Sequence, residues 1–109
     1  MTEQKGGTAI KDRSEFREDY KEPRRYKVYV LNDDFTTFDF VVYVMQAIFS
    51  KTRHEGWNIA RCTHNEGKGY IETYSYDMAK TKSERAKALS RSFGYPLNFK
   101  LTPEGEDEQ

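Results

Sequence analysis

The sequence predicts one small α+β domain: a three-stranded antiparallel sheet packed with three helices, in the order βααβαβ. Three observations carry that reading. Short runs rich in β-branched and aromatic residues recur at Tyr26–Leu31, Tyr70–Tyr74 and Leu97–Leu101. The stretches between them place apolar residues at helical spacing behind capping residues. Asn, Asp, Gly and Pro punctuate the joins. A chain of 109 residues suits one domain with one core.

Residues 1–25 hold seven bases and six acids with almost no apolar side chain. They bury too little surface to offset their ordering entropy, so a disordered arm is expected, with Pro23 near its end. The folded domain is expected over 26–103. YKVYVL (Tyr26–Leu31) is the first strand, stopped by Asn32-Asp33-Asp34. Thr36 is the expected N-cap of the first helix, and Asp39 three residues on resembles a capping box. That helix, Thr37 to Phe49, carries Val41, Val44, Met45 and Ile48 at helical spacing. Thr52 and Glu55 form a second capping pair, for a helix that runs to about Asn65 and stops near Gly67. YIETY (Tyr70–Tyr74) is a strand. Ser75 caps a third helix, with Asp77 in its first turn, that carries Met78, Ala79, Ala86, Leu89 and Phe93 and ends at Gly94. Leu97–Leu101 alternates as the last strand, and Pro103 should stop it. The acidic tail, 104–109, should fray. There is no internal repeat.

Composition excludes several classes. Net charge is zero, and between arm and tail eleven bases face eight acids, too weak an excess to imply nucleic acid. The single Cys62 cannot form an internal disulfide and fits a reducing compartment. No apolar run approaches the ~18 residues of a membrane span. The N-terminus lacks a signal-peptide stretch and is too acidic for a transit peptide. A cytoplasmic protein without membrane contact is therefore expected. There is no Gly-rich phosphate loop and no Cys/His cluster, so neither cofactor nor metal is expected. Cys62 and His64, two apart on a helix, point to different sides and make no thiolate–imidazole pair. No catalytic residue emerges, and Cys62 reads as a small packing residue.

The run Asn32-Asp33-Asp34-Phe35-Thr36-Thr37-Phe38-Asp39-Phe40-Val41 gathers acceptor oxygens at a strand end beside apolar side chains. That suits a cationic, apolar-tailed ligand better than nucleophilic or metal-assisted chemistry. Taken alone, Asn32, Asp33 and Asp34 also read as a turn, and no Gly-containing calcium loop follows. His64 has a structural reason to end its helix, through the helix dipole. Ala60, Thr63 and His64 share a helix face, and the small residues ahead of the His leave room for a cavity. His54 reads as a surface residue. Lys80, Lys82, Arg85, Lys87 and Arg91 make the third helix basic: a solvated face, or a docking surface for an acidic partner. A small RNA-binding domain using that helix is the alternative function; it requires strong salt dependence, and the bases lack interleaved aromatic rings.

Tyr26-Lys27-Val28, Asn32-Asp33-Asp34-Phe35-Thr36 and Asp39-Phe40-Val41-Val42 are followed by His64-Asn65-Glu66-Gly67-Lys68, Ala79-Lys80-Thr81-Lys82 and Tyr95-Pro96-Leu97. In these blocks and their spacing, from Tyr26 to about Pro103, the sequence resembles the ClpS family of N-end-rule adaptors. The resemblance implies a protein that is not an enzyme. Such a protein binds substrates with N-terminal Phe, Tyr, Trp or Leu and hands them to a ClpA-like Clp AAA+ unfoldase for degradation by the ClpP peptidase. By position, Asn32 and His64 would hydrogen-bond the ligand's α-amino group, with Asp33 supplying negative charge beside it. Thr36, Phe38, Val41, Ala60, Thr63 and Leu97 would line the side-chain pocket. Asp77 and Lys82 match the unfoldase-docking surface, and the arm matches the family's flexible N-terminal extension. Hydrogen bonds to the ammonium and burial of one side chain, less the cost of association, imply an affinity on the order of micromolar. The sequence departs from the family at Ala60-Arg61-Cys62-Thr63, where bulky apolar residues are usual. Ala60 should enlarge the pocket and Thr63 should make its wall more polar. Phe38 stands where the family often has a methionine. A preference for aromatic rings over Leu is expected from these departures.

Overall fold

The computed structural model describes residues 24–106. The arm expected over 1–25 falls outside the described residues except for Arg24 and Arg25, as does the end of the acidic tail. The order is β1 (Arg25–Leu31), α1 (Phe38–Ala47), α2 (Arg53–Glu66), β2 (Lys68–Ser75), α3 (Tyr76–Ser92) and β3 (Asn98–Pro103), the α+β arrangement read from the sequence. β1 lies in the middle of a three-stranded sheet, antiparallel to both neighbours.

Alternation along β1 divides the sheet's two faces. Val28 and Val30 are fully buried in the core, against Val44 and Met45 of α1, Ala79 and Ala86 of α3, and Leu97. Tyr29 takes the other face, edge-on to Tyr70 with centroids 5.8 Å apart and under the Lys68 ammonium at 4.6 Å. A bulge opposite Val28 and Tyr29 lets Ile71 turn into the core.

Several expected boundaries shift, each for a physical reason. The N-cap of α1 is Thr37, whose hydroxyl accepts from the Phe40 N–H at 3.1 Å. The Thr36 hydroxyl is turned to the Asp33 carboxylate, to which it donates, and so points away from the helix amides. α1 ends at Ala47 rather than Phe49: Ser50 turns left-handed (φ 58°), and the Lys51 N–H reaches back to the Met45 carbonyl at 3.1 Å. β2 extends past Tyr70–Tyr74 because Lys68 still pairs with Leu31 and Ser75 with Arg25. β3 slides to Asn98–Pro103, leaving Leu97 outside the strand and wholly buried. Pro103 is the last residue of this edge strand and pairs with Tyr26, so it does not interrupt the sheet.

Met78 and Phe93, expected among the apolar residues of α3, are about half exposed, at 48% and 58%. The buried stripe is instead Ala79, Ser83, Ala86 and Ser90. These small side chains bring the helix axis close to the sheet, and larger residues are kept at the flanks. The second capping pair forms as expected, with Thr52 and Glu55 bonded reciprocally. α2 and β2 approach closely at Gly69: a Cβ there would collide with the Thr63 hydroxyl and lie 2.8 Å from the Ile59 carbonyl. That contact fixes α2, and with it His64, against the sheet.

Candidate functional site

At the C-terminal end of β1 the chain turns through Asn32–Thr37 before α1 begins. Asp33 organises this turn. One carboxylate oxygen accepts from the backbone N–H groups of Phe35 (2.8 Å) and Thr36 (2.7 Å), and the other accepts from the Thr36 hydroxyl (2.8 Å). Burial pushes the Asp33 carboxyl up, but the Thr36 and Phe35 amides, the Thr36 hydroxyl and the charge of Arg91 together outweigh it and hold the group below its ordinary value. Asp33 is therefore a fixed anion. It forms no ion pair among the described residues.

α2 brings the second half of the site. It ends at Glu66, and Gly67 caps it in the left-handed conformation (φ 94°) with its N–H on the Thr63 carbonyl. The Gly67 carbonyl then accepts from the Asn32 backbone N–H at 3.0 Å. The last turn of α2, which carries His64, is thus held directly beside the end of β1. The result is a cavity of about 440 Å³ lined by Asn32, Asp33, Asp34, Thr36, Phe38 and His64. The side chains of Asn32 and His64 have no hydrogen-bond partner among the described residues.

Five of the expected site residues thus meet at one cavity: Asn32, Asp33, Thr36, Phe38 and His64. Val41, Ala60 and Leu97 lie in the hydrophobic core, and Thr63 is equally buried; none of the four is among the lining side chains. The Thr63 hydroxyl donates to the Ile59 carbonyl at 2.7 Å, so its polarity is directed to the helix backbone rather than to an open wall. Asp77 is exposed in the first turn of α3. Lys82 is half-buried, its ammonium on the Ile48 carbonyl at 3.2 Å and 5.7 Å from the centre of the Tyr74 ring. Five residues apart on a helix, Asp77 and Lys82 point about 140° away from each other. Cys62 is exposed, not packed, and its thiol donates weakly to the Lys68 carbonyl at 3.6 Å.

Sequence reasoning missed Asp34 in the lining and passed over Trp57. The Trp57 ring meets Phe38 edge-on, with centroids 5.6 Å apart, and stays 44% exposed. Its spacing of seven residues before His64 was the available signal.

The family described as "ATP-dependent Clp protease adaptor protein ClpS" matches residues 21–100. The chain belongs to the ClpS family. The ATP-dependent Clp protease adapter protein ClpS of Wolinella succinogenes is 46% identical over 76 residues, covering 70% of this chain and 74% of that protein. The ClpS of Acetivibrio thermocellus is 38% identical over 86 residues, covering 79% and 87%. The structure of Agrobacterium tumefaciens ClpS2 bound to L-phenylalaninamide aligns with a TM-score of 0.74 at 35% identity, over 76% of this chain and 100% of that one. As a ClpS protein the chain is an adaptor of the Clp protease rather than an enzyme. Among the described residues no helix is long and apolar enough to cross a membrane.

Proposed function

We propose that this ClpS protein binds the free N-terminal residue of substrate proteins, Phe, Tyr, Trp or Leu, and delivers them to a Clp AAA+ unfoldase in the cytoplasm. The acceptor inventory of the cavity carries this reading. A protonated α-amine has three donors and no acceptor. A carboxylate offers about four lone-pair sites, and three on Asp33 are occupied by Phe35 and Thr36. One remains. Asn32 adds an amide oxygen and His64 an imidazole nitrogen, both without partners among the described residues. Three acceptors thus face three donors, and one of the acceptors carries the opposite charge. The side chain attached to that amine enters past Phe38, with Val41, Ala60, Thr63 and Leu97 as the floor it reaches. The phenylalaninamide-bound ClpS2 relative supports an aromatic side chain with a free amine in such a site. Phe38, stiffened by Trp57, favours flat rings over Leu. Asp77 and Lys82 are the proposed contacts to the unfoldase, on two sides of α3.

The test is fluorescence anisotropy with a labelled peptide headed by free Phe, its N-acetylated twin and a Leu-headed peptide, with full delivery assayed against a Clp unfoldase and peptidase. The free Phe peptide should bind in the micromolar range, the acetylated one should not, and the Leu peptide should bind more weakly. Equal binding of the acetylated peptide would sink the proposal.

A further inference from the structure

Asn32, Asp33 and His64 account for a ligand's amine, and Phe38 for its first side chain. Trp57 and Arg61 have no part in that scheme, yet they adjoin it. Trp57, Arg61 and His64 stand at i, i+4 and i+7 on α2, so they form one stripe along its outer side. His64 and Phe38 line the cavity, and Trp57 touches Phe38. The Arg61 guanidinium lies 5.6 Å from the centre of the Trp57 ring. Arg61 is exposed and forms no ion pair among the described residues. An amine acceptor, a cation and an exposed ring therefore follow one another within two helical turns, about 10 Å.

We infer that Trp57 and Arg61 form a subsite for the ligand's second residue, and that the subsite selects an acidic side chain there. This rests on the N-terminal-residue reading above. In an extended peptide the second side chain starts about 3.3–3.6 Å further along and leaves on the opposite side from the first. With the first side chain inside the cavity, the second stands outside it, within reach of the stripe. The mouth itself disfavours an acid at this point, because Asp33 and Asp34 both line the cavity and repel a second-position carboxylate. Arg61 reverses that preference. Its guanidinium offers a planar fork of donors that matches a carboxylate. Trp57 holds the guanidinium against its ring face, so less freedom is lost when the pair forms.

The experiment measures binding of peptides headed Phe-Glu, Phe-Gln and Phe-Lys to the full chain and to Arg61→Met. The readout is the ratio of affinities, which a merely structural loss would not move. The wild type should prefer Glu over Gln by roughly two- to fivefold, the range for one partly exposed ion pair. The preference should shrink as salt rises and invert in Arg61→Met, where only the acids of the mouth remain. Trp57→Leu should reduce it without inverting it. Equal affinities for Glu and Gln in the wild type, or an unchanged ratio in Arg61→Met, would overturn the subsite and leave N-terminal recognition intact. If none of the three peptides binds, the N-terminal reading falls and takes the subsite with it.

Discussion

Among the described residues, two cavities of nearly equal size invite comparison. The first, about 440 Å³, is the site at the end of β1; the second, about 410 Å³, is lined by Phe49, Ser50, Lys51, Glu55, Glu72, Tyr74 and Lys82. In the second, two bases and two acids balance. Lys51 and Glu72 are ion-paired at 2.5 Å, and the Lys82 ammonium rests on the Ile48 carbonyl. Burial, and then the charges of Glu72 and Tyr70, push the Tyr74 hydroxyl up to about 12, so it stays neutral. In the first, among the described residues, Asp33 is hydrogen-bonded only by neutral donors, with the Arg91 charge acting at longer range, and the side chains of Asn32 and His64 have no hydrogen-bond partner. Volume does not separate the two; uncompensated charge does. A cavity that cancels its own charges offers a ligand little, whereas one that fixes a charge and leaves it uncancelled is ready for an ion of the other sign.

The sharpest way to break this comparison is Asp33→Ala. It removes the anion and releases Thr36, and affinity for a free Phe-headed peptide should fall roughly 10- to 150-fold, the equivalent of a lost hydrogen bond to a charged group, about 1.5–3 kcal/mol. Titration calorimetry checks this, and retained affinity would remove Asp33 from the site. Gly69→Ala should come next. Its Cβ has no room against Thr63 and Ile59, so unfolding free energy should drop by about 1–3 kcal/mol and peptide binding should weaken as His64 shifts. Thr37→Ala should cost about 1 kcal/mol as a lost N-cap, visible in urea denaturation. The smallest effect is expected at the second cavity: Lys51→Met should change stability by less than about 1 kcal/mol and leave peptide affinity unaltered.

Acid tests the anion of the first cavity. The Asp33 carboxyl sits below its ordinary value in the fold, so the stability it contributes is complete above the unfolded carboxylate range, near pH 4, and is lost as pH falls through the lower, folded value. Asp33→Asn should flatten that part of an acid-unfolding curve. His64→Phe takes away the imidazole acceptor nitrogen without touching Asp33, and affinity for a free Phe-headed peptide should fall roughly 10-fold by titration calorimetry; an unchanged affinity would exclude His64 as an acceptor.

The order of elements was legible because each strand is a short β-branched and aromatic run and each helix begins at a hydroxyl cap. Asn32, Asp33 and His64, which line one cavity, were singled out through the family blocks; taken alone, Asn32 and Asp33 read equally as a turn and His64 as a helix end. Thr36 and Thr37 show where such reading stops. Both can cap, and the choice falls to whichever hydroxyl Asp33 does not take, a matter of loop geometry. The resemblance placed Val41, Ala60 and Leu97 at the pocket, but a matching position holds no information on depth, and all three lie in the core rather than in the lining. The small-residue stripe of α3 was hidden for a related reason: Ala79 and Ser83 mark close approach of a helix to the sheet, while hydrophobicity alone points to Met78 and Phe93.

The hydrogen bond from the Asn32 N–H to the Gly67 carbonyl joins two segments separated by more than thirty residues of chain. It sets how far apart the two halves of the cavity stand. A ligand that touches both Asn32 and His64 closes the same ring a second time, and that single amide would then have to wait for the ligand to leave before its proton could trade with solvent. Deuterium uptake at Asn32 therefore keeps time for the bound state.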